Sequence, residues 1–508
     1  MSNASKSTRN VLILILITFI YRAIIAANTG LGIGESYYFR GADNIALSYF
    51  DQPPLFFWLS HISLKLFGFS PLSIRLPTLL LFSGTTWVLY LIGKYLFSAR
   101  SAFYAMLVFN LSALFVIDGI WFQPDAPLLF FWSICLYCLI QLFFPKAALS
   151  KAQEYLWWII LGISMGLTTL SKYHVVFLVL GMFTFILTQQ RHWFKHPGLY
   201  LSLVINCVFA LPILMWNLEH NFASFVFQGS RVLPDAHIQL HFDWFLRSFV
   251  GQALWLMPWI WVPIVYQLVN TYKLRKTDLK QWFCFCMAVY PIVFFTILTL
   301  WADLSYHFHW QAAGYMILFL PLGLAIEKSL ANGVWVTRIK CWIIGSAIFT
   351  YGVLAFLAFH METGFWQTYG PKWITVKTSH NVNAVDPTMD GYDYTDLYTY
   401  FQQHDLFDQP NLFVGASSWL LAGKVDWALK GRIAVRSFEE QRNYAYYFAD
   451  AKHLGQNLIY VTRDDATKAI FDIQNNCSNI TKLDTVPIKR HGITEMYLNL
   501  YTCQNFHE

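Results

Sequence analysis

The chain has 508 residues, of which 56% are hydrophobic, 19% aromatic and 13% charged, with 35 Lys and Arg against 29 Asp and Glu for a net charge of +6. So small a charged fraction, roughly half that of a soluble domain, excludes most soluble folds. A modest positive balance spread over so long a chain gives no reason to invoke nucleic acid.

Apolar stretches long enough to cross a hydrocarbon core predict helices at about residues 11–27, 76–97, 101–117, 126–144, 155–170, 174–188, 199–216, 245–270, 282–300, 312–326 and 340–359. The first follows Lys6 and Arg9, as a signal peptide would, but no small-residue cleavage site leads into a soluble domain, so it reads as a retained helix. With the N-terminus inside, the connectors 93–101, 145–154, 189–197, 271–281 and 327–340 are cytoplasmic. They carry most of the loop lysine and arginine, among them Arg100, Lys151, Arg191, Arg275 and Arg338, as the positive-inside rule requires.

The opposite connectors are acidic. Residues 28–75 hold Glu35, Asp43 and Asp51, the 118–125 turn holds Asp118 and Asp125, and later loops hold Glu219, His220, Asp235, Asp243, Asp303, His307 and His309. Asp235 and Asp243 read as solvated loop acids. Glu35, Asp51 and Asp125 sit beside prolines and aromatics near helix ends, where a carboxylate costs free energy unless it is paired, hydrated or used. The first outer loop repeats its apolar residues at roughly helical spacing, which predicts amphipathic interfacial helices within 35–70, and Pro53 and Pro54 fix Asp51 at a helix boundary.

From about residue 360 the composition becomes that of a soluble α/β domain. Strands are expected at 411–415, 457–462 and 495–502 and a helix at 417–429, giving a division into 1–359 and 360–508. Cys477 and Cys503 lie in this polar region and are expected to pair in an oxidising compartment, whereas the six other cysteines sit in apolar segments and read as packing.

Several segments together resemble a known family. GESYYF, SYFDQPPLFFWL, SPLSIRLP, QPDAPLLFFW, TTLSKYH and MWNLEHNFASFVFQ, with DPTMDGYDYTDL and NYAYYFADA further on, look like the bacterial members of the dolichyl-phosphate-mannose protein mannosyltransferase superfamily, whose relatives include lipid A aminoarabinose transferases. The resemblance implies a polytopic α-helical membrane protein of GT-C type, with about eleven transmembrane helices, in the bacterial inner membrane with its C-terminal domain periplasmic. It implies an inverting glycosyltransferase that moves a hexosyl or pentosyl group from a polyprenyl-phosphate carrier to lipid A, another envelope glycan or a protein.

Site residues follow from the same resemblance. Glu35 and Asp125 are expected to be catalytic, as base and as second acid. Tyr37, Tyr38, Asp51 and Gln52 are expected near substrate, and so are Lys172, Tyr173, His307 and His309. Family members usually read Asp-Glu before the Tyr-Tyr pair, and here Gly34 replaces the Asp. Either Glu35 is the only base in its loop, or the acceptor is a phosphate that ionises by itself. The carrier's phosphate needs cations, and Lys172, Arg40, Arg75, Arg231 and Arg247 are the outer-face candidates, with Lys172 favoured by the LSKY pattern. Asp51 with His220 is the candidate pair for a divalent metal, zinc, magnesium or manganese, though no spaced histidine cluster is visible and the family is not uniformly metal-dependent, so a metal-free site is the favoured reading. Two other classes stay open: a transporter or flippase of lipid-linked sugars, against which stands the concentration of ionisable groups in outer loops, and a non-catalytic envelope scaffold.

Overall fold

In the computed structural model, the described residues are 3–233, 239–304, 306–369, 386–447, 453–463, 468, 471 and 473–507; Asp235 and the end of the NYAYYFADA segment lie outside them. Every expected span is helical. Single helices run Asn3–Ala27, Pro71–Leu96, Asp125–Phe143, Lys151–Ser171, Val175–Gln189, Leu279–Leu298, Ala312–Ala331 and Val336–Thr363. Three ranges are divided, as Ala99–Phe109 with Ala113–Asp118, Pro197–Phe209 with Leu211–Glu219, and Phe242–Leu256 with Pro258–Lys273. Among the described residues, seven helical stretches are long and apolar enough to cross a membrane, or eight if the last pair is one broken span. The chain is a polytopic membrane protein, with the other expected spans shorter or less apolar than that standard.

The single helix expected at 245–270 is corrected. Met257 adopts φ 71°, Pro258 opens the following helix, and the two halves meet at 109°. Proline cannot donate the backbone bond that would carry the helix onward, and the Ser112 hydroxyl donates to the Leu256 carbonyl at 3.4 Å. Such a break is tolerated in an apolar setting because a neighbouring helix supplies the donor.

By internal packing the chain forms two compact units. One comprises residues 1–23, 47–56 and 76–353, the other 24–46, 57–75 and 354–508. In the first, helix Lys151–Ser171 packs on Pro197–Phe209 through Gly162 and Gly166; a Cβ on Gly162 would lie 2.8 Å from the Ser202 carbonyl. Small residues four apart let the helix backbones approach, which replaces the hydrophobic drive that lipid removes.

The second unit is a five-stranded mixed sheet with helices. Strands β1 (Leu412–Ala416), β2 (Val435–Ser437), β3 (Asn457–Thr462), β4 (Asn479–Arg490) and β5 (Ile493–Gln504) lie in the order β2-β1-β3-β5-β4. β1 pairs in parallel with β2 and β3, and β5 antiparallel with β3 and β4. β1 and β3 are buried almost throughout and read as continuous apolar runs, as central parallel strands do. β4 is the polar edge, carrying Lys482, Pro487 and Lys489, residues that blunt an exposed ladder. The Cys477–Cys503 disulfide is formed.

Two pieces of the connector 28–75 belong to this unit. Helix Ile33–Asp43 lies against Trp419–Ala428, where a Cβ on Gly423 would come within 2.6 Å of the Tyr37 nitrogen. Arg40 Nε donates to Asp426 at 2.7 Å, and burial pushes the Asp426 carboxyl up to about 6 in spite of that cation. The DPTMDGYDYTDL acids serve structure. Asp386 pairs with Arg490 at 2.9 Å and His360 at 2.8 Å, while Asp393 accepts from the Leu31 backbone and the Trp427 indole.

Candidate functional site

Asp125 opens helix Asp125–Phe143, and Lys172 stands immediately beyond the end of helix Lys151–Ser171. A carboxylate at a helix N-terminus and an ammonium at a C-terminus each complement the helix dipole. The two meet: Lys172 Nζ donates to Asp125 Oδ1 at 3.0 Å and Oδ2 at 3.2 Å, with Asp125 2% and Lys172 6% exposed. His309 Nε2 lies 3.9 Å from Asp125 Oδ2. The sequence thus named both partners without showing that they pair.

Around this pair the histidines are neutral. Burial pushes His309 down to about 4, against the pull of Asp125 and with help from Lys172 and Arg231. Burial, with His309, Arg231 and Lys172, brings His307 to about 3. A neutral imidazole keeps one lone pair for accepting, and Arg231 Nη2 lies 2.7 Å from His307 Nε2. His307 stacks on Trp310 with ring centroids 4.7 Å apart. Lys172 and Arg231 both flank that same indole, at 5.8 and 4.9 Å from its centroid.

Two members escaped the sequence reading as site residues. Asp118, at the end of the short helix Ala113–Asp118, is 1% exposed; its Oδ1 accepts from Gln123 at 3.1 Å and its Oδ2 has no partner among the described residues. Burial and the Asp125 charge raise its pKa well above the ordinary carboxylate value, against Lys172. His174 is buried, and its Nε2 has no partner among the described residues. The sequence placed both in turns, and only the tertiary fold brings them beside Asp125 and Lys172.

Asp51 and Tyr173 fall in the same unit. The Asp51 carbonyl accepts from Gln228 at 2.6 Å, and Phe50 packs on Phe227 at 4.6 Å. Burial pushes the Tyr173 phenol up to about 12, against its hydrogen bond with Ser224 and with help from the Asp51 charge. Gln52 follows Asp51 in the bend. His220 stacks on Trp216 and contacts its carbonyl at 2.7 Å. Among the described residues, no group of three or more His, Cys, Asp and Glu is arranged to hold a metal ion. Beside Arg231 and His307, a cavity of about 270 Å³ is lined also by Ser230, Trp244, Trp301 and Asp303.

Glu35, Tyr37 and Tyr38 belong to the other unit. Glu35 is 5% exposed, with Arg75 Nε 2.8 Å from Oε1, Arg75 Nη2 2.6 Å from Oε2, and the Gly32 nitrogen 2.9 Å from Oε2. Arg75 also donates to the carbonyls of Ala26, Thr29 and Gly30, so it ties the whole entry to helix Ile33–Asp43. Tyr37 is 2% exposed among Trp419 and Tyr444, and Tyr38 packs edge-on against Phe57. Of the other candidate phosphate cations, Arg40 is held by Asp426 and Arg247 lies 3.8 Å from Asp243.

Residues 51–216 match the family described as dolichyl-phosphate-mannose-protein mannosyltransferase. The chain is 24% identical over 337 residues to lipid A galacturonosyltransferase RgtD of Rhizobium johnstonii, spanning 63% of this chain and 68% of that protein. It is 23% identical over 261 residues to the undecaprenyl phosphate-alpha-4-amino-4-deoxy-L-arabinose arabinosyl transferase of Erwinia tasmaniensis, spanning 49% of this chain and 46% of that one. The match thus covers about two thirds of the first relative and just under half of the second. ArnT of Cupriavidus metallidurans bound to undecaprenyl phosphate superposes with a TM-score of 0.64, covering 96% of this chain and 97% of that one at 13% identity. The archaeal oligosaccharyltransferase AglB of Archaeoglobus fulgidus gives 0.55, over 90% and 70% at 13% identity.

Proposed function

We propose that this chain, a member of the GT-C glycosyltransferase superfamily by fold, moves a sugar from a polyprenyl-phosphate carrier to an envelope acceptor, lipid A foremost, on the periplasmic side of the bacterial inner membrane. The observation that carries the reading is the buried Asp125–Lys172 pair, flanked by Arg231 and by histidines held neutral. The charges of Asp125, Lys172 and Arg231 by themselves sum to one net positive charge. That suits a polyprenyl-phosphate sugar, a phosphodiester with one negative charge.

In the reaction the acceptor oxygen attacks the anomeric carbon on the face opposite the phosphate. The bond from that carbon to the phosphate oxygen breaks with its electron pair passing to the leaving polyprenyl phosphate, and the anomeric configuration inverts. The leaving phosphate gains a second negative charge as the bond breaks, so Lys172 and Arg231 bind the transition state more tightly than the donor. As Lys172 turns toward the phosphate, its hold on Asp125 slackens. The freed carboxylate takes the proton of an alcohol acceptor, whereas an ionised phosphate acceptor has none to give. The cavity beside His307 is assigned to the sugar, a hexose or pentose, with the Trp244 and Trp301 indoles against its carbon faces and Asp303 for its hydroxyls.

Glu35 is assigned to holding the first loop, because Arg75 occupies both of its oxygens. Asp51, Gln52 and Tyr173 are assigned to substrate positioning near Ser224 and Gln228. No step is routed through a metal.

The test is transfer by purified protein in proteoliposomes supplied with undecaprenyl-phosphate-linked sugar and lipid A, read by mass spectrometry of the acceptor. Loss of the added sugar mass is expected in Lys172→Met, and in Asp125→Asn where the acceptor group is an alcohol. Full transfer by both variants would overturn the assignment.

A further inference from the structure

We propose that the C-terminal unit carries a second anion site, for the phosphate monoester of a small sugar, where Ser417, Arg463 and Lys468 border a cavity that has Lys424 in its wall. The cavity measures about 230 Å³ and is lined also by Ile33, Ser418 and Glu439. Nothing in the sugar-transfer reading uses these residues.

The topology marks the place. The three parallel strands β1, β2 and β3 end at Ala416, Ser437 and Thr462; Ser417 and Arg463, next beyond the first and third of those ends, and Glu439, two residues beyond the second, all reach the cavity. β1 connects outward to β2 on one side, while β3 leads to β4 and β5 on the other. Connections that diverge from adjacent parallel strands open a crevice at their carboxyl ends, where ligands of α/β sheets bind.

The chemistry selects an anion. Three cations line the cavity against the single carboxylate of Glu439. Lys424 is 1% exposed, and its ammonium donates to the carbonyls of Leu31 at 2.7 Å and Asp390 at 3.0 Å. An ammonium has three N–H groups, so one is left without an acceptor among the described residues. A fully buried cation whose hydrogen bonds go to carbonyls is costly, and burial, with Arg463, brings Lys424 down to about 8 against the pull of Asp393, Asp390 and Glu35. Arg463 and Lys424 share Tyr394, the first through its hydroxyl and the second across its ring at 5.0 Å. Helix Trp419–Ala428 begins beside the cavity, with Ser418 as its cap, and its N-terminus adds to the positive potential. The volume falls a little below the range of about 300–1,000 Å³ for drug-sized ligands, which fits one phosphorylated sugar ring.

Two sources share this chemistry: a free sugar phosphate, or the phosphorylated sugar headgroup of a glycolipid. Full-length protein in nanodiscs is titrated with glucosamine 1-phosphate by calorimetry, and separately reconstituted with lipid A or with its dephosphorylated form. All titrations are repeated in Lys172→Met, so that binding at the Asp125 cluster is removed. Binding that survives Lys172→Met and weakens at least tenfold in Arg463→Ala and Lys468→Ala, with unfolding midpoints unchanged, supports the site. A response to glucosamine 1-phosphate assigns the free ligand, and a response to phosphorylated lipid A alone assigns the headgroup. Binding that vanishes with Lys172→Met, equal affinity in Arg463→Ala and Lys468→Ala, or no binding of either probe overturns it.

Discussion

Lys172 bridges both carboxylate oxygens of Asp125, at 3.0 and 3.2 Å, joining the end of one helix to the start of another through two charges that are almost wholly buried. Removing one member of such a pair strands the other, which typically costs about 3–5 kcal/mol. Lys172→Met is therefore expected to lower the unfolding midpoint clearly. Asp125→Asn combined with Lys172→Met should recover much of that loss, because no charge is left unpaired. Thermal unfolding in detergent, run as a double-mutant cycle, reads the coupling; additive losses would refute it.

On the proposed assignment, Asp125→Asn removes the base but not the cations. With an alcohol acceptor, turnover per folded molecule should fall by about 10²–10⁴, the usual worth of general base catalysis. With an acceptor that reacts through an ionised phosphate, the loss should be far smaller. Comparing kcat on the two acceptor types therefore separates base catalysis from simple positioning.

Glu35 and Arg75 should behave as one structural device. Glu35→Gln and Arg75→Lys are each expected to lower the unfolding midpoint, the second because an ammonium cannot reproduce the guanidinium fork that reaches two oxygens and three carbonyls. Turnover per folded molecule should stay within about threefold of wild type, well inside the loss general base catalysis implies. An unchanged midpoint with abolished turnover would instead make Glu35 the base.

The histidines make stability depend on pH. His309 and His307 take up protons only near pH 4 and 3 in the folded protein, while in the unfolded chain they do so near the ordinary value of about 6.5. Below that value the unfolded state binds more protons, so their contribution is full above pH 6.5 and is lost as pH falls toward 4 and 3. Unfolding midpoints taken from pH 7.5 down to 4.5 should decline, and His309→Gln should flatten the decline. A midpoint indifferent to pH would contradict this.

Hydropathy made the helices legible, since span length and the charge of the connectors are local properties. The break at Met257 was written as Met257-Pro258, a proline that disfavours helix in the residue before it, yet the surrounding apolar run masked it. β4 was missed because an edge strand reading NITKLDTVPIKR is polar by necessity, and β2 because three residues carry no period. At the site, Lys172 and Asp125 were visible as expensive charges in apolar surroundings. Asp118 and His174 were not, because nothing local distinguishes them from turn residues. The pairing of Glu35 with Arg75 spans 40 residues, and neither neighbourhood advertises the other.

The wide separation within the second unit also sets an order of events during synthesis. Arg40 leaves the ribosome 386 residues before its partner Asp426, an interval of roughly 20–80 s at about 5–20 residues per second. Throughout it, helix Ile33–Asp43 has been made but helix Trp419–Ala428, which it packs against, has not. That helix is thus among the earliest segments translated and among the last to reach its final form, and ribosomes stalled before residue 412 would hold it without a fold to join.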